Sequence, residues 1–147
     1  MNLDSLRESI QNEKRKEDPS WKYAREKDEY EKKIKQIARQ QIKEAIEEHR
    51  TIFLDNMNLR KNGRISDMKE MQQYAQQLGK QIRFDCVYFV PDLKQSLERI
   101  SLFRTPDDVN CVSEGVIKES IRQLEVPTKD EGYSKLTLVQ INTEFLA

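Results

Sequence analysis

Residues 82–90, IRFDCVYFV, decide the fold class of this chain. The even-numbered positions carry apolar, aromatic or thiol side chains, which share one face of an extended backbone. Arg83 and Asp85 occupy the other face in the first half of the run. The alternation therefore predicts a strand whose first half is only half buried, and Pro91 marks the start of a helix after it.

Two other segments have the pattern of strands. Residues 51–55, TIFLD, form a short unbroken apolar run that is typical of a buried strand, and this strand delivers polar residues at its C-terminal end. Residues 135–142, KLTLVQIN, alternate in the same way as residues 82–90. The chain is thus expected to contain three strands.

Helices are predicted between and before these strands. The stretch from Glu26 to His49 has apolar residues at three-and-four spacing, and residues 65–78 show a second stripe that ends at Gly79. Residues 2–10 predict a short helix before a polar loop, and a further helix begins near Ser113. Alternating strands and helices predict one α/β domain over residues 1–147, a three-layer sandwich with a small, mostly parallel sheet.

Composition excludes several classes of function. The 147 residues include 26 basic and 26 acidic side chains, so no global field attracts nucleic acid and any polyanion site must be local. Cys86, Cys111 and the single His49 lack metal-ligand spacing, so we predict neither a metal nor a cofactor. The sequence shows no membrane-spanning run and no signal peptide, and a cytoplasmic location without membrane attachment is expected.

Four segments follow one another along the chain: NLDSLRESI at residues 2–10, KYAREKDE at 22–29, LDNMNL at 54–59 and VSEGVIKESIRQLEVPTKDEGY at 112–133. Together they resemble the phage-type polynucleotide 5′-kinases of the P-loop kinase superfamily. Each segment alone is a weak signal, but their order and spacing match the family over essentially the whole chain. The resemblance implies a phage-encoded protein.

The resemblance assigns three catalytic positions. Asp4 falls on the family's general base, which takes the proton from the attacking 5′-hydroxyl, and Arg7 falls on a residue that contacts the substrate phosphate. Arg104 matches the lid arginine that reaches the transferring phosphoryl group, with Phe103 and Arg99 as alternative alignments. The simpler interpretation of Asp4 and Arg7 is an ion pair on a solvated helix.

The resemblance also assigns a substrate-binding segment. Asp55, Asn56 and Asn58 match the polar residues that end the family's strand beside the substrate channel. A cluster of this kind at the C-terminal end of a strand is where open α/β sheets bind ligands, although asparagines also cap turns. Two departures remove polar groups from the site, because Met57 replaces a hydroxyl residue and Leu3 replaces a basic one.

The main departure from the family is the absence of its phosphate-binding loop. Such kinases place a strand and GxxGxGKS before the segment that contains the general base, because loop amides cradle the phosphates and the lysine neutralises them. This sequence contains neither GKS nor GKT. The resemblance therefore implies a kinase fold that lacks its central first strand and is not by itself an ATP-dependent kinase.

Three hypotheses of function follow. The leading one is a non-catalytic kinase-fold protein that binds single-stranded nucleic acid or a protein. The second is one part of a split polynucleotide kinase whose phosphate-binding loop is supplied by another chain. The third is a phage-encoded inhibitor of a host or defence factor. Trp21 and Tyr23, in the polar loop, either stack bases or dock onto the domain.

The missing strand also predicts an assembly. Two apolar strands left beside a gap expose amides and carbonyls that another chain can pair. We therefore expect a homodimer or a heteromer, built across the exposed strand edge or across the long helix through Ile34, Ile42 and Ile46.

Overall fold

The computed structural model describes residues 2–21, 27–103 and 112–140. It is an α/β protein with a small parallel sheet, which confirms this part of the predicted fold class. The elements in chain order are α1 (Leu3–Glu17), α2 (Lys27–Glu47), α3 (Lys61–Gln77), β1 (Asp85–Phe89), α4 (Leu93–Phe103), α5 (Glu114–Gln123), a 3₁₀ turn (Lys129–Glu131) and β2 (Lys135–Val139).

The chain divides into two compact units. The N-terminal unit holds the described residues up to Met57, and the C-terminal unit holds those from Asn58 onwards. A single domain over residues 1–147 stays a prediction.

Helix α1 in the N-terminal unit is longer than the sequence pattern predicted. The Oδ1 atom of Asn2 caps it by accepting a hydrogen bond from the backbone amide of Asp4 at 2.7 Å. The helix continues to Glu17 through a polar stretch that we expected to be a loop. Glutamine, glutamate, lysine and arginine all favour helix, and the basic residues of its last turn offset the helix dipole.

The core of the N-terminal unit lies between α1 and α2. Trp21, Tyr30 and Ile34 are buried together, and Leu3, Leu6 and Ile10 pack against them. Ile34 is 0% exposed, and the rings of Trp21 and Tyr30 meet edge to face with centroids 5.6 Å apart. Trp21 therefore docks onto its own unit. On the α2 stripe, Ile34 and Ile46 are buried and Ile42 is partly buried, and an assembly across this helix stays a prediction.

The predicted buried strand at residues 51–55 is wrong. Phe53 is 78% exposed and Leu54 is also exposed. The segment makes one β-bridge among the described residues, a parallel one from Asp55 to Asn2. A strand is stabilised by a ladder of partners, and Asn2 lies immediately before α1. The chain on that side turns into a helix, which ends the pairing after one bridge.

Within the described residues of the C-terminal unit, the sheet consists of β1 and β2. The strands run parallel in a register that pairs Asp85 with Lys135 and Phe89 with Val139. Both lie within the predicted strand segments, 82–90 and 135–142, and are shorter than these. Gly79 follows the end of α3, as predicted. Its φ of 67° is in the left-handed region, and its amide donates to a carbonyl of the last helical turn.

A buried ion pair connects α3 to the 3₁₀ turn that precedes β2. The Nε and Nη2 atoms of Arg64 each donate to a carboxylate oxygen of Glu131 at 2.7 Å, and the two side chains are 4% and 0% exposed. Arg64 also donates to the carbonyls of Asn58 and Leu59, while the amide of Thr128 donates to Glu131. This network holds three separate segments of the unit together.

Candidate functional site

The sequence-predicted residues that the structure brings together lie at the start of α1. Asp4 and Arg7 are one helical turn apart, and Nη1 of Arg7 donates to Oδ1 of Asp4 at 2.6 Å. Side chains at this spacing share a helix face, so both groups point the same way. The Asp4 side chain is 51% exposed, which leaves its carboxylate accessible to a ligand.

A second carboxylate fixes Arg7 from helix α2. The Nε and Nη2 atoms of Arg7 donate to the two carboxylate oxygens of Glu31 at 2.7 and 3.1 Å. Such a two-pronged contact is the strongest geometry for an arginine and a carboxylate. Glu31 raises the pKa of Arg7 above its ordinary value, so the guanidinium is charged at all ordinary pH values. Arg7 therefore holds Asp4 in place.

Asn2 connects Asp55 to this arrangement. Its Oδ1 atom accepts from the amide of Asp4, and its Nδ2 atom donates to Oδ2 of Asp55 at 2.9 Å. The parallel bridge between Asn2 and Asp55 fixes the same two segments through the backbone. Residues 53 positions apart in the sequence thus meet at one place. We call Asn2, Asp4, Arg7, Glu31 and Asp55 the Asp4 cluster.

The Asp4 cluster has a negative charge. It contains the carboxylates of Asp4, Glu31 and Asp55 and the guanidinium of Arg7, a net charge of about −2 at neutral pH. Carboxylates accept hydrogen bonds from hydroxyl groups, whereas a phosphate is repelled by them. The donors of Arg7 that face Asp4 and Glu31 are already in use. The cluster is therefore suited to a hydroxyl and unsuited to holding a phosphate.

The other predicted site residues lie outside this cluster. Asn56 is exposed after Asp55 and belongs to the same unit. Asn58 belongs to the C-terminal unit, where its φ is 43° and its carbonyl accepts from Arg64 at 2.9 Å. This asparagine shapes the backbone before α3, as expected of an asparagine in a turn. Arg104 lies outside the described residues.

Two members of the cluster were not predicted from the sequence. Asn2 has the signature of a helix N-cap, because an asparagine before a helical run accepts from the amide of its second or third following residue. Glu31 lies three positions before the buried Ile34 on α2, and this spacing places it toward the packed face. The sequence alone could have identified Asn2 as a helix N-cap, whereas the pairing of Glu31 with Arg7 is evident only from the structure.

The described part of the chain contains neither a cluster of metal-ligating side chains nor a helix that could span a membrane. Residues 2–21, 27–103 and 112–140 contain no group of three or more histidine, cysteine, aspartate or glutamate side chains arranged for a metal ion. Among the helices of these ranges, none combines the length and the apolar character needed to cross a bilayer.

Comparisons with known proteins add no relative. No protein-family model, no curated protein and no solved structure matches this chain. The relationship to polynucleotide kinases therefore rests on the four sequence segments and stays a hypothesis.

Proposed function

We propose that this chain binds the 5′-hydroxyl end of a single-stranded polynucleotide and does not, on its own, transfer phosphate from ATP. The observation that supports the proposal is the Asp4 carboxylate, which is half exposed and fixed by Arg7 at 2.6 Å. The resemblance to polynucleotide kinases gives this residue the role of receiving the 5′-hydroxyl. A protein target, the other form of the leading hypothesis, gains no support from the cluster.

The charge of the cluster supports a preference between two kinds of polynucleotide end. A 5′-hydroxyl donates a hydrogen bond to Asp4, and a hydrogen bond to a charged group contributes about 1.5–3 kcal/mol. A 5′-phosphate has no hydroxyl there and brings negative charge toward Asp4, Glu31 and Asp55. The difference corresponds to roughly tenfold or more in affinity.

The first test replaces Asp4 by asparagine. Wild-type protein is expected to bind a 5′-hydroxyl oligonucleotide at least about tenfold more tightly than the 5′-phosphorylated one, and Asp4→Asn is expected to lose most of this preference. Fluorescence anisotropy with a label at the 3′ end measures both affinities. Asp28→Asn, which changes an exposed carboxylate on α2, is the control and keeps the preference. Equal preference in wild type and Asp4→Asn would exclude end recognition by this residue.

A second candidate function is one part of a split polynucleotide kinase. The exposed apolar side chains of Phe53 and Leu54 favour it, since they directly precede Asp55, which belongs to the Asp4 cluster and makes a β-bridge to Asn2. A strand supplied by another chain would extend the pairing of this segment and cover those side chains. The same neighbouring chain would bring the phosphate-binding loop to the hydroxyl site.

The two candidates differ in a complementation assay. Both predict no phosphate transfer by this chain alone. Only the second predicts transfer from ATP to a 5′-hydroxyl oligonucleotide after addition of a polypeptide that carries the strand and GxxGxGKS loop of a polynucleotide kinase. Substitution of Phe53 by lysine should then abolish the transfer, because it places a charge where the added strand packs.

A further inference from the structure

The middle of helix α2 is strongly basic. Residues 32–43, KKIKQIARQQIK, contain five basic side chains and no acidic one, although the whole chain has no net charge. Lys32, Lys35, Arg39 and Lys43 are all exposed. At 3.6 residues per turn these four lie within about 80° of the helix circumference. We call these four residues the basic stripe.

The basic stripe faces away from the core of its unit. Ile34 and Ala38, on the other side of the same turns, are buried. The stripe is about 16 Å long, because eleven residues separate Lys32 from Lys43 at 1.5 Å each. The stripe presents four cationic side chains along this length, enough for about four phosphate contacts with one strand.

We propose that the basic stripe binds the phosphate backbone of single-stranded nucleic acid. This inference rests on the proposed function for the identity of the ligand. It assigns binding of the phosphate backbone to the basic stripe and not to the Asp4 cluster. The Asp4 cluster of the same unit has a net negative charge and does not attract phosphates. Lysine and arginine side chains clustered along one helix face are a feature of proteins that bind the phosphate backbone of nucleic acids.

The simpler interpretation of the basic stripe is a solvated helix face. Asp28 and Glu47 lie beyond its two ends, and ion pairs between exposed side chains contribute little to stability. A phosphate replaces such a partner at low cost and also releases condensed counterions. The two interpretations therefore differ in the dependence of binding on salt concentration.

The test compares two variants that each remove two positive charges. Lys35→Gln combined with Arg39→Gln removes half of the basic stripe, and glutamine keeps a helix propensity close to that of lysine and arginine. Lys69→Gln combined with Arg83→Gln is the matched control, because both side chains are exposed in the C-terminal unit. The ligand is an oligodeoxythymidylate of about 20 nucleotides, with either a 5′-hydroxyl or a 5′-phosphate, and anisotropy is measured from about 50 to 300 mM salt.

Four phosphate contacts predict a slope of about −2.8 for log K against log salt concentration in wild type, at about −0.7 for each contact with a single strand. The stripe variant should show a slope of about −1.4. If wild type and the stripe variant have equal affinity at about 1 M salt, this difference in slope makes the variant's affinity roughly 60-fold lower than that of wild type at about 50 mM salt. At about 200 mM salt it is roughly tenfold lower. The control variant should match wild type.

An unchanged slope and affinity in the stripe variant, or an equal loss in the control variant, would overturn the inference. Absence of any binding by wild type at about 50 mM salt would overturn it as well. The two ends of the oligonucleotide separate this result from the proposed function. A stripe-dependent slope without a preference for the 5′-hydroxyl supports the basic stripe and contradicts end recognition by Asp4. The reverse result contradicts only the basic stripe.

Discussion

Replacement of Glu131 by glutamine is expected to lower the free energy of unfolding by about 3–5 kcal/mol, the usual cost of removing one partner from a buried ion pair. Both carboxylate oxygens of Glu131 accept from Arg64 at 2.7 Å, and neither side chain has more than 4% of its surface exposed. Glutamine has nearly the same shape as glutamate, so the variant leaves the Arg64 guanidinium buried without its counter-charge. Urea denaturation followed by circular dichroism measures the loss.

The exposed ion pair between Arg122 and Glu119 provides the control for this prediction. Its atoms approach to 2.8 Å, and the Arg122 and Glu119 side chains are 78% and 43% exposed, far more than those of the buried pair. Glu119→Gln should therefore leave the urea midpoint almost unchanged. Replacing both buried partners, by Arg64→Met and Glu131→Leu together, should recover much of the lost stability. Equal losses for Glu131→Gln and Glu119→Gln would show that burial does not set the cost.

The same ion pair predicts how stability depends on pH. The guanidinium of Arg64 lowers the pKa of Glu131 below its ordinary value. A carboxylate with a lowered pKa contributes its full stability above its unfolded pKa of about 4.3, and the contribution is lost as the pH falls through the lower value of the folded state. The difference in stability between wild type and Glu131→Gln should therefore be constant near neutral pH and should shrink below about pH 4.

The second large effect is expected in the core of the N-terminal unit. Trp21→Ala should cost about 3–5 kcal/mol, the range for removing a large aromatic side chain from a packed core. Trp21 is buried, meets the ring of Tyr30 edge to face at 5.6 Å and shares a cluster with the fully buried Ile34. Loss of the indole leaves a cavity between α1 and α2, which thermal unfolding followed at 222 nm detects.

Phe53 supplies an aromatic control in the same unit. It is 78% exposed, so Phe53→Ala should change the free energy of unfolding by no more than about 0.5 kcal/mol. A loss for Trp21→Ala as small as that for Phe53→Ala would contradict the packing of Trp21 against Tyr30 and Ile34.

Local patterns predicted most of the secondary structure. The apolar stripe from Tyr30 to Ile46 predicted α2, because apolar residues at three-and-four spacing over such a length indicate an amphipathic helix. The alternation at residues 82–90 and 135–142 predicted two strands, and the structure pairs them parallel. The glycine at position 79 predicted the end of α3, because a left-handed backbone favours glycine.

Pairings between distant segments were not predictable in the same way. Residues 51–55 have the composition of a buried strand, but composition does not show whether a neighbour exists to pair with them. Arg64 and Glu131 are 67 residues apart, and each reads in the sequence as an ordinary surface charge. For the site, the resemblance to the kinases pointed to Asp4 and Arg7, whereas the roles of Asn2 and Glu31 depended on how α1 meets its neighbours.

The most direct test of the proposed function is a phosphate-transfer assay with this chain alone. The purified protein is saturated with a 5′-hydroxyl oligonucleotide and incubated with magnesium and labelled ATP, and the labelled product is separated by electrophoresis. The expected result is an oligonucleotide that stays bound and unphosphorylated, because the sequence contains neither GKS nor GKT to hold the ATP phosphates. Accumulation of 5′-phosphorylated oligonucleotide above the protein-free control, abolished by Asp4→Asn, would contradict it.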